Sequence, residues 1–331
     1  MSTTEINRAI DLGYGWTKVS AGDGVIKSFQ SLPWRNPRTL GTGESPSQVM
    51  TVVVEGVSYG VSDEPEIYAP HGATRTRGDG YISSDHYAIC MAAAVKVMRV
   101  STINRLVVGT PVGNYEQARK ELMRRFDKGI TFDTVHVPIS RLQVIPQPIG
   151  GLAFHIHDAG GSEAVDEPRL LVDVGYGTLD WVWATGARVN AERSGSSSNG
   201  VASFIDAVYR AIHGDTHGLG QDLLEVASID KMLSRGKPFT LNGERHSRET
   251  HEKLIDALAR TAFNELLQRV GSLRMCHSIV LMGGGAEIYK KAVMAAAGRV
   301  PVRLVREPQW ANIRGFQLLA DRGLLDRNSR A

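Results

Sequence analysis

Along this chain, short apolar runs that end at glycine alternate with longer stretches carrying apolar residues three and four apart, and the whole alternation occurs twice. RAIDLG (8–13) is an apolar run ending at a turn, and WTKVSAGDG (16–24) leads into VIKSF (25–29), which predicts β-hairpin strands. TVVVEGVSYGV (51–61) reads as a second hairpin, folded at Glu55-Gly56. SLPWRNPRTLGTGESPS (31–47) has no periodicity and is rich in Pro, Gly and Ser, so it predicts a loop. Ser84 is placed to cap a buried helix over 85–100, and Asn114 to cap another over 115–126, with RLVVGTPVG (105–113) as a central strand between them. Strand-like runs surround Val135 and Val144, and Pro148 suits the first turn of a helix through GGLAFHI.

The polar stretch GGSEAVDEP (160–168) breaks this series and is the expected domain boundary. RLLVDVGYGTLDWVWATG (169–186) is again a hairpin, SGSSSNG (194–200) reads as a flexible turn, and VASFIDAVYRAI (201–212) has helical spacing. Residues 213–250 mix short helical and loop pieces, whereas EKLIDALARTAFNELLQRV (252–270) is a clean amphipathic helix. SIVLMGGGAEIYKKAVMAAA (278–297) reads strand, triple-glycine turn, helix; VPVRLV (300–305) is a last strand and ANIRGFQLLADRGLL (311–325) a last helix. Hairpins followed by helices, twice over, predict two related α/β domains with a cleft between them.

Composition narrows the class. A chain of 331 residues with 42% hydrophobic and 22% charged residues is long and apolar enough for two globular domains without disulfides or structural metals. Its two cysteines, Cys90 and Cys276, form no metal or redox spacing, so a reducing cytoplasmic setting is expected. MSTTEINRAI lacks the pattern of a signal peptide, and no apolar run reaches the length of a membrane span, so a soluble protein without a membrane partner is expected. A net charge of +3 gives no reason to expect direct nucleic-acid binding, and the arginines of ATRTRGDG (73–80) read as solvated.

The chemistry concentrates in two related stretches, Asp11-Leu-Gly-Tyr-Gly-Trp-Thr-Lys18 and Asp173-Val-Gly-Tyr-Gly-Thr-Leu-Asp180. Glycines at the corner of a hairpin let backbone N–H groups approach an anion, and an aspartate at the strand end can hold a hydrated Mg²⁺. Lys18 adds a charge that can reach phosphate. One such stretch alone reads as an ordinary turn with its aspartate capping backbone N–H groups, and Lys18 alone as a solvated strand residue. The duplication favours the phosphate reading. No P-loop or G-x-G-x-x-G pattern occurs, while GGGAEI opens a helix after a strand and can admit an adenine ring or phosphate. His155, His157 and Asp158 read as a solvated helix end, His251-Glu252 lacks the second histidine of a zincin motif, and Trp181 with Trp183 reads as packing on one strand face.

DLGYGWTK, QPIGGLA, DVGYGTLD, VLMGGGAEI and ANIRGFQLL stand in the order of the phosphate 1, connect 1, phosphate 2, adenosine and connect 2 motifs, and by them the chain resembles the actin and sugar-kinase superfamily. GTPVGNY, SNGVASF, GGGAEI and ANIRGF are most similar to plasmid-segregation actins of the ParM/StbA type, and within them to the protein D branch of the PRTRC plasmid gene cluster.

The resemblance implies an α/β, actin-like ATPase fold: two ribonuclease H-like domains flanking a nucleotide cleft. Domain I would span 1–165 with a small inserted subdomain at about 31–80, domain II 166–311 with another at about 213–250, and 312–331 would be a C-terminal helix returning to domain I. Asp11 and Asp173 would hold hydrated Mg²⁺. Gly13, Tyr14, Gly15, Trp16, Thr17 and Lys18 would form the first phosphate loop, and Gly175, Tyr176, Gly177 and Thr178 the second. Gln147 would orient the attacking water alongside Asp11 and Asp173, with Asp180 near that water or simply part of the hairpin. Gln147, which precedes Pro148, also reads as a neighbour of a helix cap. Gly283, Gly284 and Gly285 would wall the adenosine, and Asn312 and Gly315 would begin the hinge helix.

ATP would be bound and cleaved to ADP, with self-assembly into a filament, a DNA-bound adaptor as partner and plasmid DNA contacted only through it. A small-molecule kinase and a non-polymerising nucleotide-dependent scaffold are the alternatives. Residues 31–80 and 213–250 carry little of the resemblance, so neither filament contacts nor adenine-side polar contacts are assigned there.

Overall fold

The computed structural model describes residues 5–38, 49–78, 80–160, 166–186, 188–214 and 222–323, and it divides into two compact units. Unit 1 comprises residues 1–154 and 312–331, and unit 2 residues 155–311.

In unit 1, β1 (Asn7–Leu12), β2 (Trp16–Gly22) and β3 (Val25–Gln30) form an antiparallel meander. The strands β4 (Trp34–Arg35), β5 (Met50–Val54) and β6 (Val57–Val61) make a separate small sheet, followed by the short helix α1 (Pro65–Tyr68). The turn from β5 to β6 places Glu55 at φ 50° and Gly56 at φ 77°, the paired positive values that a two-residue hairpin turn demands. The loop expected over 31–47 thus contains one short strand, and its residues 39–47 lie outside the described residues.

Next come α2 (Asp85–Met98), β7 (Ile103–Thr110), α3 (Tyr115–Phe126), the ribbon β8 (Ile130–Phe132) with β9 (Val135–Val137), β10 (Ile139–Pro146) and α4 (Gln147–Asp158). The Ser84 hydroxyl accepts the Tyr87 N–H at 3.2 Å, as a capping residue should. Asn114 occupies the equivalent place before α3, but its side chain makes no capping bond: at φ −126° and ψ 28° its backbone lies outside the extended region that aims a cap at the first turn. The main sheet runs β10-β7-β1-β2-β3, with β1, β7 and β10 parallel. At the centre of the sheet, β1 and β7 are largely buried, with Ala9, Ile10, Leu106, Val107 and Val108 at 0% exposure. One face packs on the buried side of α2, where Ile10, Leu12 and Val19 meet Ile89, Met91 and Val95.

Unit 2 repeats this plan. The strands β11 (Pro168–Val174), β12 (Leu179–Thr185) and β13 (Arg188–Ser197) form the meander, followed by α5 (Val201–His213), α6 (Leu223–Arg235), the ribbon β14 (Phe239–Leu241) with β15 (Glu244–His246), and α7 (Glu252–Val270). Then come β16 (Ser278–Met282), α8 (Ala286–Ala297), β17 (Val302–Leu304) and α9 (Ala311–Arg322), which begins at the end of unit 2 and runs in unit 1. The sheet order is β13-β12-β11-β16-β17, with β11, β16 and β17 parallel. This is the topology of unit 1, strand for strand.

The flexible turn expected at 194–200 is mostly strand: β13 continues to Ser197. Its exposed, polar residues give no alternation to read, and Gly195 is needed because a Cβ there would lie 2.7 Å from the Trp181 ring. Trp181 and Trp183 both enter the unit 2 core, on either side of a register shift in the pairing of β12 with β13. Of the expected boundary segment 160–168, residues 161–165 lie outside the described residues, and the two units divide within α4, between Phe154 and His155. Of the stretch 213–250, residues 215–221 lie outside the described residues, and the remainder is largely α6 and the β14–β15 ribbon.

Candidate functional site

Each DxGYG stretch forms the turn of a hairpin in its own sheet. In unit 1 the β1–β2 register sets Asp11 opposite Lys18, and the loop is closed by the Gly13 N–H donating to the Trp16 carbonyl at 3.0 Å. Asp11 is only 3% exposed, and a carboxylate so placed needs partners. Lys18 Nζ donates to Oδ2 at 3.0 Å and Gln147 Nε2 to Oδ1 at 2.9 Å. The structure therefore brings Asp11, Lys18 and Gln147 together.

Gly109 makes that meeting possible. It follows Val108, the β7 partner of Ile10, so it lies beside Asp11, and a Cβ there would stand 2.8 Å from Gln147 Cγ and overlap the Phe316 ring. Sequence reasoning used this glycine only within RLVVGTPVG and as the first residue of GTPVGNY, and gave it no role at the site. Further along α4 and α9, Gly315 and Gly150 let the two helices touch: a Cβ on Gly315 would overlap the Gly150 carbonyl. Asn312, buried in the first turn of α9, sits beside this crossing through its carbonyl, which borders Gly150.

The first loop is braced from behind. The Tyr14 ring lies 4.8 Å from that of Tyr81, whose hydroxyl donates to the Gly13 carbonyl at 3.3 Å. Burial pushes the Tyr81 phenol well above its usual range, which keeps it a neutral donor. The Gly15 carbonyl accepts from Ser31 N–H at 2.9 Å and from Arg75 Nη1 at 3.1 Å. Thr17 points into the interior, where its hydroxyl bonds Ser31 Oγ at 2.9 Å. Burial raises the neighbouring Cys90 thiol to about 12, so it stays protonated at neutral pH.

In unit 2 the register sets Asp173 opposite Asp180, and the Gly175 N–H donates to the Thr178 carbonyl at 2.9 Å. Asp180 accepts from Thr178 Oγ1 and from Ser196 Oγ, each at 2.5 Å. The N-terminus of α5 docks on this loop: Val201 N–H donates to the Gly175 carbonyl at 3.0 Å and Ala202 N–H to that of Tyr176 at 2.8 Å. Gly200 allows the approach, because a Cβ there would lie 2.5 Å from Thr178 N and 2.6 Å from Gly177 C. The glycine turn stacks on the other side of β11: Gly285 N–H donates to the Val174 carbonyl at 3.0 Å, and Gly283, at φ +91°, backs directly on the Asp173 carboxylate. Gly284 has only Gln309 nearby.

Gly200, used only within SGSSSNG and SNGVASF, and Ser196 were likewise given no role at the site. They sit in the serine-rich stretch that reads as a turn, and their roles come from register, which the sequence there does not reveal. Asp158, on the other hand, ends α4 in an ion pair with Arg306 at 2.7 Å. Among the described residues no group of three or more His, Cys, Asp or Glu side chains is arranged to hold a metal ion, and no helix is long and apolar enough to cross a membrane.

Comparison with known proteins follows the two-unit division. Residues 9–150 match the family model described as actin like proteins N terminal domain, and residues 171–295 the one described as archaeal actin homologue MreB-like, C-terminal. Among solved structures the chain is similar to Ta0583, an archaeal actin homologue, with 23% identity and a TM-score of 0.77 over 96% of this chain and 100% of that one. The same homologue in complex with ADP gives 22% and 0.75, covering 96% and 99%. A 15-stranded ParM filament from Clostridium botulinum gives 18% and 0.74, covering 97% and 100%. No curated protein sequence matches. The fold is the actin-like ATPase fold.

Proposed function

Since the chain belongs to the actin-like superfamily, with matches over residues 9–150 and 171–295, we propose that it binds Mg-ATP, hydrolyses it to ADP and assembles with copies of itself into filaments. The observation that carries this reading is the pair of hairpins, each with a closed glycine loop and a buried aspartate at the same register position.

The donor set suits a hard divalent cation: Asp11 and Asp173 supply carboxylates at the strand ends, and a second carboxylate, Asp180, faces Asp173. When bound, Mg²⁺ neutralises phosphate charge. The chain's own groups do the remainder. Backbone N–H groups of Tyr14–Trp16 in unit 1 and of Tyr176–Thr178 in unit 2 would each cradle phosphate oxygens, the Gly13 and Gly175 N–H groups being used to close the loops, and Lys18 would exchange its Asp11 contact for a phosphate oxygen. Gln147, held by Asp11, orients the attacking water through its amide oxygen. Gly283, Gly284 and Gly285 offer a side-chain-free wall for the nucleoside, and Asn312 lies at the start of the helix that follows. Thr178 and Asp180 form a hydrogen-bonded pair that sets the second loop's polar edge.

By the ParM-type resemblance, the filament would move plasmid DNA in the cytoplasm through a DNA-bound adaptor, without contacting DNA itself. Sedimentation and light scattering in Mg-ATP against ADP, with phosphate release followed across protein concentration, test the function. A critical concentration shared by scattering and hydrolysis is expected. Hydrolysis linear in protein, without polymer and stimulated by a metabolite, would replace this reading with a small-molecule kinase. Nucleotide binding with neither hydrolysis nor polymer would leave a scaffold.

A further inference from the structure

We propose that the acidic segment Asp63–Tyr68 of one copy docks in a basic, apolar groove on unit 2 of a second copy. The proposal rests on the filament reading above and names the surfaces that would make the contact. The groove, of about 410 Å³, has a floor of Leu273, Ala297, Val300 and Pro301, with Arg274 and Arg299 among its walls. Neither guanidinium has an ion-pair partner among the described residues. Two large apolar side chains extend the surface: Met275, next to Arg274, is 76% exposed, and Met294, one helical turn before Ala297, is 58% exposed. Flexible thioethers beside unpaired arginines suit a partner that brings both carboxylates and an aliphatic side chain.

Unit 1 carries such a partner. Asp63 and Glu64 precede the short helix α1, and neither carboxylate forms an ion pair among the described residues. On α1, Ile67 is 58% exposed. Asp63 and Glu64, with Glu66 held by Gln30, and the aliphatic Ile67 thus match two arginines and an apolar floor in sign. A knob on one unit and its socket on the other make a heterologous contact, which propagates as an open chain when its rotation does not close.

The segment is also tied to the first hairpin. Gln30 Nε2 donates to the Asp63 carbonyl at 2.9 Å and to Glu66 Oε2 at 3.2 Å, while Arg75 bridges Gln30 Oε1 and the Gly15 carbonyl. A rearrangement of the Gly13–Trp16 loop would therefore be felt at the knob through two side chains, which gives the contact a route to nucleotide dependence.

Reversing each surface tests the pairing. Arg274→Glu with Arg299→Glu, and separately Asp63→Lys with Glu64→Lys, are each expected to raise the critical concentration for assembly in Mg-ATP by about tenfold or more. An equimolar mixture of the two variants is expected to assemble nearly as well as the unchanged chain, because each reversed surface then finds its complement on the other variant. Recovery in the mixture shows that both variants are folded. Assembly of either variant alone at the unchanged critical concentration, or a mixture no better than its components, overturns the docking proposal. No assembly by the unchanged chain overturns the filament reading and the docking with it.

Discussion

The two hairpins share a frame and differ in charge. Both close on an N–H to carbonyl bond from the first glycine to the third residue after it, at 3.0 Å in unit 1 and 2.9 Å in unit 2, and both bury an aspartate one residue before the end of the first strand. Opposite Asp11 stands a lysine, opposite Asp173 another aspartate. The first hairpin therefore balances its own charge and adds the Gln147 amide. The second places two carboxylates face to face, an arrangement that costs stability unless a cation or hydrogen bonds offset it. Thr178 and Ser196 serve Asp180 in this way, with hydroxyls that are neutral. The asymmetry thus lies in what each buried aspartate faces: a lysine in the first hairpin, a second carboxylate in the other.

The largest expected effects come from the glycines behind each aspartate. Gly283→Ala forces a side chain into positive φ and onto the Asp173 carboxylate and the Val174 backbone, and should cost about 3 kcal/mol in chemical denaturation. Gly109→Ala meets only side chains, those of Gln147 and Phe316, and should cost about 2 kcal/mol while displacing Gln147 from Asp11. An equal or larger loss at Gly109 would mean that the first aspartate is held the more rigidly of the two. Next is Lys18→Met, which leaves the Asp11 carboxylate with Gln147 in place of two partners. A loss of about 1–3 kcal/mol in chemical denaturation is expected. No loss would dissolve the contrast between a hairpin that pairs its aspartate with a lysine and one that does not place a lysine opposite. Thr178→Val removes the Thr178 hydroxyl from Asp180 and should cost about 1 kcal/mol, and combined with Ser196→Ala the two losses should be non-additive because both hydroxyls serve one carboxylate.

The same contrast explains what the sequence could reveal. Asp11, Gly13, Asp173 and Gly175 were legible because local turn chemistry and a strand end fix their surroundings, and the pattern occurs twice. Helices α2, α5 and α7 were legible by their apolar spacing. Strand β13 was not: both its faces carry exposed or half-exposed residues, so serine and glycine stand where a strand period would appear, and its pairing comes from β12. Gly109 and Gly200 escaped because their requirement is a neighbour distant in sequence, Phe316 for one and the Gly175–Thr178 loop for the other. Opposition of Lys18 to Asp11 and of Asp180 to Asp173 needed the register, which a two-glycine turn only partly specifies.

The smallest expected effect is an acid sensitivity in the supports of both units. Burial lowers the pKa of His86, the second residue of α2, where its Nδ1 meets Thr76 Oγ1 at 3.0 Å. In unit 2 burial lowers that of His251, and the stacked ring of His246, whose Nδ1 lies 3.3 Å from His251 Nε2, lowers it further. A histidine whose folded value lies below the usual 6.5 binds more protons unfolded than folded. Its contribution is fully present above 6.5 and is lost as the pH falls through the lower, folded value. Stability should therefore decline below about pH 6.5. His251→Gln and His86→Gln should each flatten that decline. Denaturation midpoints between pH 7 and pH 5 read the slopes, and a slope left unchanged by either substitution would remove that histidine from the acid-sensitive support of its unit.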